Sequence, residues 1–241
     1  MQIAVFAYKG SITPVAVECL KSLQRHSDCS IRFFGEVDKP ELLPVPVEPF
    51  PTEWEPARMT NRMRIASMVG VTGDEVMLFD TDIIFRKDPF RAFKRPFHMA
   101  FTTRPWRNEA SPVNGGVSAW RVGSQTTLLW RYMIDQALNP TWKYYLEQRA
   151  GLDRRDREKE LDWWTHQDLL CTFARYNPAI PVHLVDLGPL YNWCPDSGGG
   201  RAMTDDVRDR FLYEIHNNQD IVAIHYKELE QHVQPCDFIF E

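Results

Sequence analysis

No stretch of this 241-residue chain approaches the roughly 18 apolar residues needed to span a bilayer. Residues 1–10 lack a basic segment followed by a long apolar run, so no signal peptide is expected. Cysteine is scarce and scattered: Cys19, Cys29, Cys171, Cys194 and Cys236 form no C-x-x-C pair, which argues against a zinc ribbon and against a disulfide framework. A reduced, cytoplasmic setting is the expectation. Positive charge is not in excess; the net charge is −5, which disfavours broad nucleic-acid binding. No internal repeat is visible, and the first apolar run is followed only by Lys9-Gly10-Ser11, not by a long glycine-rich basic loop.

What is present is ordinary globular material with a rich aromatic supply. Hydrophobic residues make up 44% and charged residues 25%, enough for one large α/β domain without disulfide support. Gln2 to Tyr8 reads as a buried strand, Val15, Val17, Leu20 and Leu23 recur at near-helical spacing over 14–26, and Ile31 to Phe34 reads as a second strand. Strand, helix, strand is the opening of a parallel sheet. Pro40, Pro44, Pro46, Pro49, Pro51 and Pro56 mark an extended connector. A helix is predicted over 57–70, strands over 76–79, 97–102 and 116–122, a mostly helical stretch over 124–149 and a helix over 163–176. Strands follow at 182–186 and 221–225. The charged run 151–160 reads as solvated, and Asp196-Ser197-Gly198-Gly199-Gly200 as a loop or lid.

The most informative segment is Val76-Met77-Leu78-Phe79-Asp80-Thr81-Asp82-Ile83-Ile84-Phe85. Two carboxylates wedged between apolar, β-favouring runs are costly to bury unless something neutralises them. On an extended chain Asp80 and Asp82 point to the same side. That arrangement suits a hard divalent cation, which takes oxygen ligands and brings phosphate oxygens with it. The same triplet also occurs as a plain turn or a solvated edge.

Other motifs follow in order. Met63-Arg64-Ile65 precedes the acidic strand; Val113-Asn114-Gly115-Gly116-Val117, His166-Gln167-Asp168-Leu169-Leu170 and Ile224-His225-Tyr226 come after it. In order and spacing, over roughly residues 2–227, this set resembles the GT-A-fold glycosyltransferases, especially the retaining families related to glycogenin and the bacterial galactosyltransferases of family 8. Three positions depart from that pattern. Asn114-Gly115-Gly116 stands where N-A-G or N-S-G is usual, His166 stands where an Asp commonly precedes the Gln, and His225-Tyr226-Lys227-Glu228 replaces the H-x-x-G-x-x-K-P ending.

The resemblance implies a single GT-A (Rossmann-like) α/β domain over 1–241, with a mostly parallel central sheet flanked by helices. Residues 1–113 would bind nucleotide and metal, and 114–241 sugar and acceptor. It implies Asp80, Asp82 and His225 as ligands to Mn²⁺, with Mg²⁺ an alternative. Nucleotide-sugar contacts fall on Ala7, Tyr8, Arg62, Arg64, Asp80, Thr81, Asn114, Gly115, Gly116 and Lys227; Arg64 is placed first for the diphosphate, Arg62 or Arg64 being a plain helix charge. Gln167 and Asp168 would act at the sugar. Plainer roles stay open: His225 as a core histidine, Asn114-Gly115 as a hairpin turn, Asp168 as a helix-start residue. Trp106, Tyr191 and Trp193 are candidates for an acceptor platform.

The expected function is metal-dependent transfer from a nucleotide diphosphate sugar, UDP-linked, with retention, to an unidentified glycan, protein or small-molecule acceptor. Rival readings are a nucleotide-sugar-forming nucleotidyltransferase, a transferase acting on modified DNA bases, and a non-catalytic sugar-binding protein.

Overall fold

The structure is a computed structural model that describes residues 1–51, 58–103, 113–139, 141, 166–174, 180–193, 212–213 and 215–225, with the backbone alone at 58 and 59. The first strand, β1 (Gln2–Gly10), leads into α1 (Pro14–His26). Thr13 caps this helix by accepting from the Ala16 amide at 3.1 Å, and Pro14 supplies a pre-set first-turn φ. β2 (Ser30–Val37) returns parallel to β1. The proline-rich connector then contributes a short edge strand, β3 (Val47–Glu48), which sequence periodicity does not reveal because it is two residues long.

The chain next crosses to the other side of β1 through α2 (Arg58–Met68) and enters β4 (Glu75–Phe79), again parallel to β1. Asp80-Thr81-Asp82 is a turn rather than extended strand, and β5 (Ile83–Phe85) leaves it away from the main sheet. After a 3₁₀ segment at Pro89–Lys94, β6 (Met99–Thr103) and β7 (Val113–Arg121) complete the middle of the sheet; α3 (Ser124–Ala137) follows. β8 (Leu184–Asp186) lies on the far edge, and β9 (Ala223–His225) pairs antiparallel with β5 in a two-stranded sheet of its own. Residues 166–174 are helical.

The central sheet runs β3-β2-β1-β4-β7-β6-β8, and β7 alone opposes its neighbours. It is therefore the mostly parallel α/β sheet expected. Both of its faces are covered, which is why β1 and β4 read as unbroken apolar runs rather than as alternation. Ile3, Val5, Val76 and Leu78 face a core shared with Met63, Ile65, Trp120 and Trp130. Ala4, Phe6, Met77 and Phe79 face Cys19, Leu20, Leu23 and the Phe85–Phe90–Phe93 layer.

The direction of travel reverses at β1: β2 goes to one side and β4 to the other. A crevice opens beyond the carboxyl ends of strands at such a reversal, and ligands of open α/β sheets collect there. Tyr8 and Asp80 stand at that edge.

Candidate functional site: an acidic turn, a histidine and two close-packed glycines

Asp80 leaves the carboxyl end of β4, and its amide donates to the Gly116 carbonyl at 2.9 Å, so β7 fixes where the acidic turn begins. At the turn's other end, Ile83 opens β5, and its cross-strand partner on β9 is His225. That register is what brings a histidine 142 residues downstream beside Asp82. Its Nε2 lies 3.2 Å from Asp82 Oδ1 and 3.7 Å from Asp80 Oδ2. The three groups offer donor atoms within 4.8 Å of one another; His225 is buried and both carboxylates are half-buried.

These residues fit a divalent cation. Ligands at about 2.0–2.2 Å from a common ion stand roughly 3–4 Å apart, and the two histidine–carboxylate separations fall in that range. Two hard oxygens with one imidazole suit Mn²⁺ or a similar ion. Thus the two carboxylates meet at one point although their backbone is a turn; period-two alternation is not what aligns them.

Arg62, on α2, donates to Asp80 Oδ1, leaving Oδ2 to face His225. The guanidinium thus anchors one oxygen of the carboxylate and offsets its charge while the other stays directed at the site. Of the two arginines, Arg62, 5% exposed, is the one that meets the acidic turn, and Arg64 is less buried two residues further along the helix. A helical period cannot choose between residues two apart without knowing which face meets β4.

Asn114, Gly115 and Gly116 lie inside β7, not in a hairpin turn. Asn114 Oδ1 accepts from the Gly116 amide at 3.1 Å, and its carbonyl accepts from Thr102 Oγ1 at 3.0 Å. Both glycines are needed for close approach. A Cβ on Gly116 would stand 2.9 Å from His225 Cε1 and 3.0 Å from both Asp80 Oδ2 and Asn192 Nδ2. One on Gly115, pointing to the other face, would stand 2.8 Å from Gln167 Cγ and 3.4 Å from His166 Nδ1. Neither glycine has a positive φ, so the requirement is one of space alone.

Two neighbouring glycines therefore gather two sets of side chains on opposite faces of one strand. Gln167 and Asp168 are each 4% exposed, and His166 is fully buried. The His166 ring lies 5.8 Å from Trp130. Burial, with the nearby Arg62 charge, lowers its pKa to about 3, so it is neutral at working pH.

Asn192 is a site residue that the sequence reading passes over. It is fully buried, its Nδ2 donates to Thr102 Oγ1 at 3.0 Å, and among the described residues its Oδ1 accepts no hydrogen bond. It stands between Tyr191 and Trp193, the two residues that attract notice as platform aromatics. Both are half-buried: Tyr191 packs against the core layer that holds Phe90 and Phe93, and Trp193 against the cluster of Ile84, Ile215 and Ile224. Tyr8 is half-buried at the end of β1, with its hydroxyl donating to the Ser11 carbonyl at 2.8 Å. Thr81 is half-buried in the acidic turn, and Ala7 packs against the core. Lys227, Trp106, Trp163, Trp164, the run 151–160 and the segment 196–200 lie outside the described residues.

Residues 55–150 match the family model of the nucleotide-diphospho-sugar transferases. No curated protein sequence matches the chain. Among solved structures, the glycosyltransferase GlyE of Streptococcus pneumoniae TIGR4 is similar at 17% identity and a TM-score of 0.53, over 94% of this chain and 55% of that one. The galactosyltransferase LgtC, in complex with donor and acceptor sugar analogues, is similar at 14% identity and a TM-score of 0.51, over 94% of this chain and 87% of LgtC. An active-site Gln-to-Glu variant of LgtC is similar at 15% identity. This chain thus spans little more than half the length of GlyE. A nucleotide-diphospho-sugar transferase segment, residues 55–150, is thus set in a chain that shares the fold of these glycosyltransferases.

Proposed function

We propose that this protein transfers a glycosyl group from a UDP-linked sugar, with retention, in a reaction that depends on Mn²⁺. The observation that carries the proposal is the convergence of Asp80, Asp82 and His225 at the carboxyl end of β4, beside the crevice of the strand-order reversal. The fold and the matched segment support a nucleotide-sugar donor; the one-imidazole, two-carboxylate donor set supports Mn²⁺ over Mg²⁺.

In this reading residues 1–241 form one GT-A domain, 1–113 contributing the nucleotide and metal part and 114–241 the sugar and acceptor part. Asp80, Asp82 and His225 hold the cation. When bound, it offsets negative charge gathering on the diphosphate as the glycosidic bond breaks. Arg62 fixes the Asp80 carboxylate, while Arg64 and Lys227 supply positive charge toward the phosphates. Ala7, Tyr8 and Thr81 line the nucleotide. Asn114, through its amide, and the Gly115–Gly116 backbone border the sugar. Gln167 lies against the sugar face, and Asp168 steadies positive charge at the anomeric carbon. The acceptor is a glycan, a protein or a small molecule; the net charge of −5 weighs against DNA. A reducing cytoplasm suits the free thiols of Cys19, Cys29 and Cys171.

Thermal melting with and without UDP and Mn²⁺ tests this. A ligand that binds only the folded state raises its melting temperature, so UDP with Mn²⁺ should raise Tm, and GDP or ADP should do so less. Asp82→Asn should abolish the Mn²⁺-dependent part of the shift and donor turnover with little change in the unliganded Tm. His225→Ala should weaken Mn²⁺ affinity by about 10–100-fold, the scale for a damaged metal shell. A larger shift with GDP would redirect the donor, and metal-independent turnover in Asp82→Asn would remove the metal.

A further inference from the structure

We propose that Asn192 is a positioning residue of the candidate metal centre: its side-chain amide ties the segment paired with β9 to a gap in the β6–β7 ladder, and so fixes where His225 stands relative to Asp80. This role holds only if Asp80, Asp82 and His225 bind a cation, the reading on which it rests. Asp80 follows β4, in the seven-stranded sheet, whereas His225 ends β9, in the two-stranded sheet. To share one cation the two sheets need a fixed relation, since ligand distances tolerate only about 0.2 Å.

The ladder between β6 and β7 breaks beside the site. Phe101 pairs with Ser118, but the next residue, Thr102, pairs with Asn114, so Gly115, Gly116 and Val117 bulge out of register with β6. Extra residues on one strand disrupt the ladder, and backbone groups that lose a partner must find another. Side chains supply them here. Asn114 Oδ1 accepts from the Gly116 amide at 3.1 Å, and Thr102 Oγ1 donates to the Asn114 carbonyl at 3.0 Å. With its proton committed, that buried hydroxyl can only accept. Asn192 Nδ2 donates to it at 3.0 Å. The amide Oδ1 meets no donor among the described residues, a cost that an apolar side chain in this fully buried place would avoid. What asparagine contributes here is therefore its N–H.

The segment carrying Asn192 starts on one sheet and ends on the other. The Leu187 amide, just past β8, donates to the Phe101 carbonyl at 2.9 Å. Trp193, next after Asn192, donates its amide to the Ala223 carbonyl at 2.9 Å and accepts from the His225 amide at 2.7 Å. Asn192 is thus one residue from the carbonyl that holds the His225 backbone. Its side chain grips the bulge whose Gly116 carbonyl accepts from the Asp80 amide at 2.9 Å. Gly116 marks the meeting point. A Cβ there would stand 3.0 Å from Asn192 Nδ2 and from Asp80 Oδ2, and 2.9 Å from His225 Cε1.

The experiment compares wild type, Asn192→Leu, Thr102→Val and the double variant. Val76→Ala, buried at the opposite end of β4 from the site, is the control for lost stability. Each protein is assayed for Mn²⁺ affinity by calorimetric titration, for the paramagnetic resonance spectrum of Mn²⁺ bound at saturation, and for its urea midpoint. Leucine has the branching and approximate size of asparagine without the N–H; valine has the shape of threonine without the hydroxyl. Asn192→Leu and Thr102→Val should each weaken Mn²⁺ binding by about 10–100-fold, the scale for partners that orient metal ligands, and should alter the spectrum. The double variant should lose no more than the worse single, because both cut one link. Val76→Ala should lower the midpoint and keep wild-type affinity and spectrum.

Wild-type affinity and spectrum in a folded Asn192→Leu would overturn the proposal. So would a loss of affinity that Val76→Ala matches, or losses that add in the double variant. Should Asn192→Leu fail to fold, Thr102→Val decides by the same criteria. Wild type that binds no Mn²⁺ would sink the cation reading and this role with it. Wild type that binds Mn²⁺, beside an Asn192→Leu that binds it equally well, sinks this role alone.

Discussion

Gly116 shows how little room a single residue leaves in this site. The Cβ of an alanine there would press on Asp80 Oδ2, Asn192 Nδ2 and the His225 ring at about 3 Å or less. Gly116→Ala should destabilise by about 1–3 kcal/mol, the usual cost of overpacking. It should also weaken Mn²⁺ binding more than a remote substitution of equal cost would; calorimetric titration with Mn²⁺ beside a melting curve checks both. Gly115→Ala meets only the Gln167 side chain and His166, so it should spare metal affinity and lower turnover instead. For Asp168 the discriminating measurement is steady-state kinetics. If it steadies charge that exists mainly in the transition state, Asp168→Asn should lower kcat by about 10²–10³ with little change in donor KM. Normal kcat with reduced stability would return it to a purely structural role. The sequence picks out Asp80, Asp82 and His225 as a set, but it cannot say which arginine meets Asp80 or notice Asn192. Those two judgements depend on which side chain a neighbouring strand admits.

At the scale of elements, α1 secures the acidic segment at both ends. Cys19 Sγ donates to the Asp80 carbonyl at 3.8 Å, Ser22 Oγ accepts from the Phe85 amide at 3.0 Å, and Ser22 in turn donates to the Cys19 carbonyl at 2.8 Å. These contacts matter because β5 lies outside the main sheet and, among the described residues, pairs with β9 alone. Ser22→Ala leaves the buried Phe85 amide unmet and should cost about 1–3 kcal/mol, read as a lowered midpoint in urea unfolding. An unchanged midpoint would mean that the amide finds another acceptor. Periodicity anticipates α1, α2, β4 and β9 closely, since each has a strongly apolar face. It mistakes the start of β7, placing Asn114-Gly115-Gly116 before the strand. Asparagine and glycine favour turns locally; here the sheet's ladder and the crowding of His225 and Gln167 override that preference.

For the whole molecule, the buried neutral His166 ties stability to pH. The unfolded imidazole takes up its proton near pH 6.5, the folded one near 3. Between those values the unfolded state binds more protons, so stability falls as pH drops from about 6.5 toward 3. Between pH 7 and pH 5 this amounts to about 2 kcal/mol. Chemical denaturation of wild type at the two pH values should show that loss, and His166→Phe should lose correspondingly less. An identical pH dependence in both proteins would show that His166 is not the group responsible.

Taken alone, the sequence determined the class of the molecule and the chemistry of its centre. Long apolar runs separated by amphipathic helices dictate a covered, mostly parallel sheet, because such runs are soluble only when both faces are buried. Two carboxylates between such runs demand a partner charge, whatever the fold. Only the tertiary structure decided which partner each carboxylate has. Register between β5 and β9 delivers His225 to Asp82, and the face of α2 turned toward β4 delivers Arg62 to Asp80. Two glycines on β7 then draw Gln167, His166 and Asn192 against the same strand. Those are contacts between residues distant in the chain, set by cross-strand pairing and close packing. Neither leaves a periodic trace in the order of amino acids.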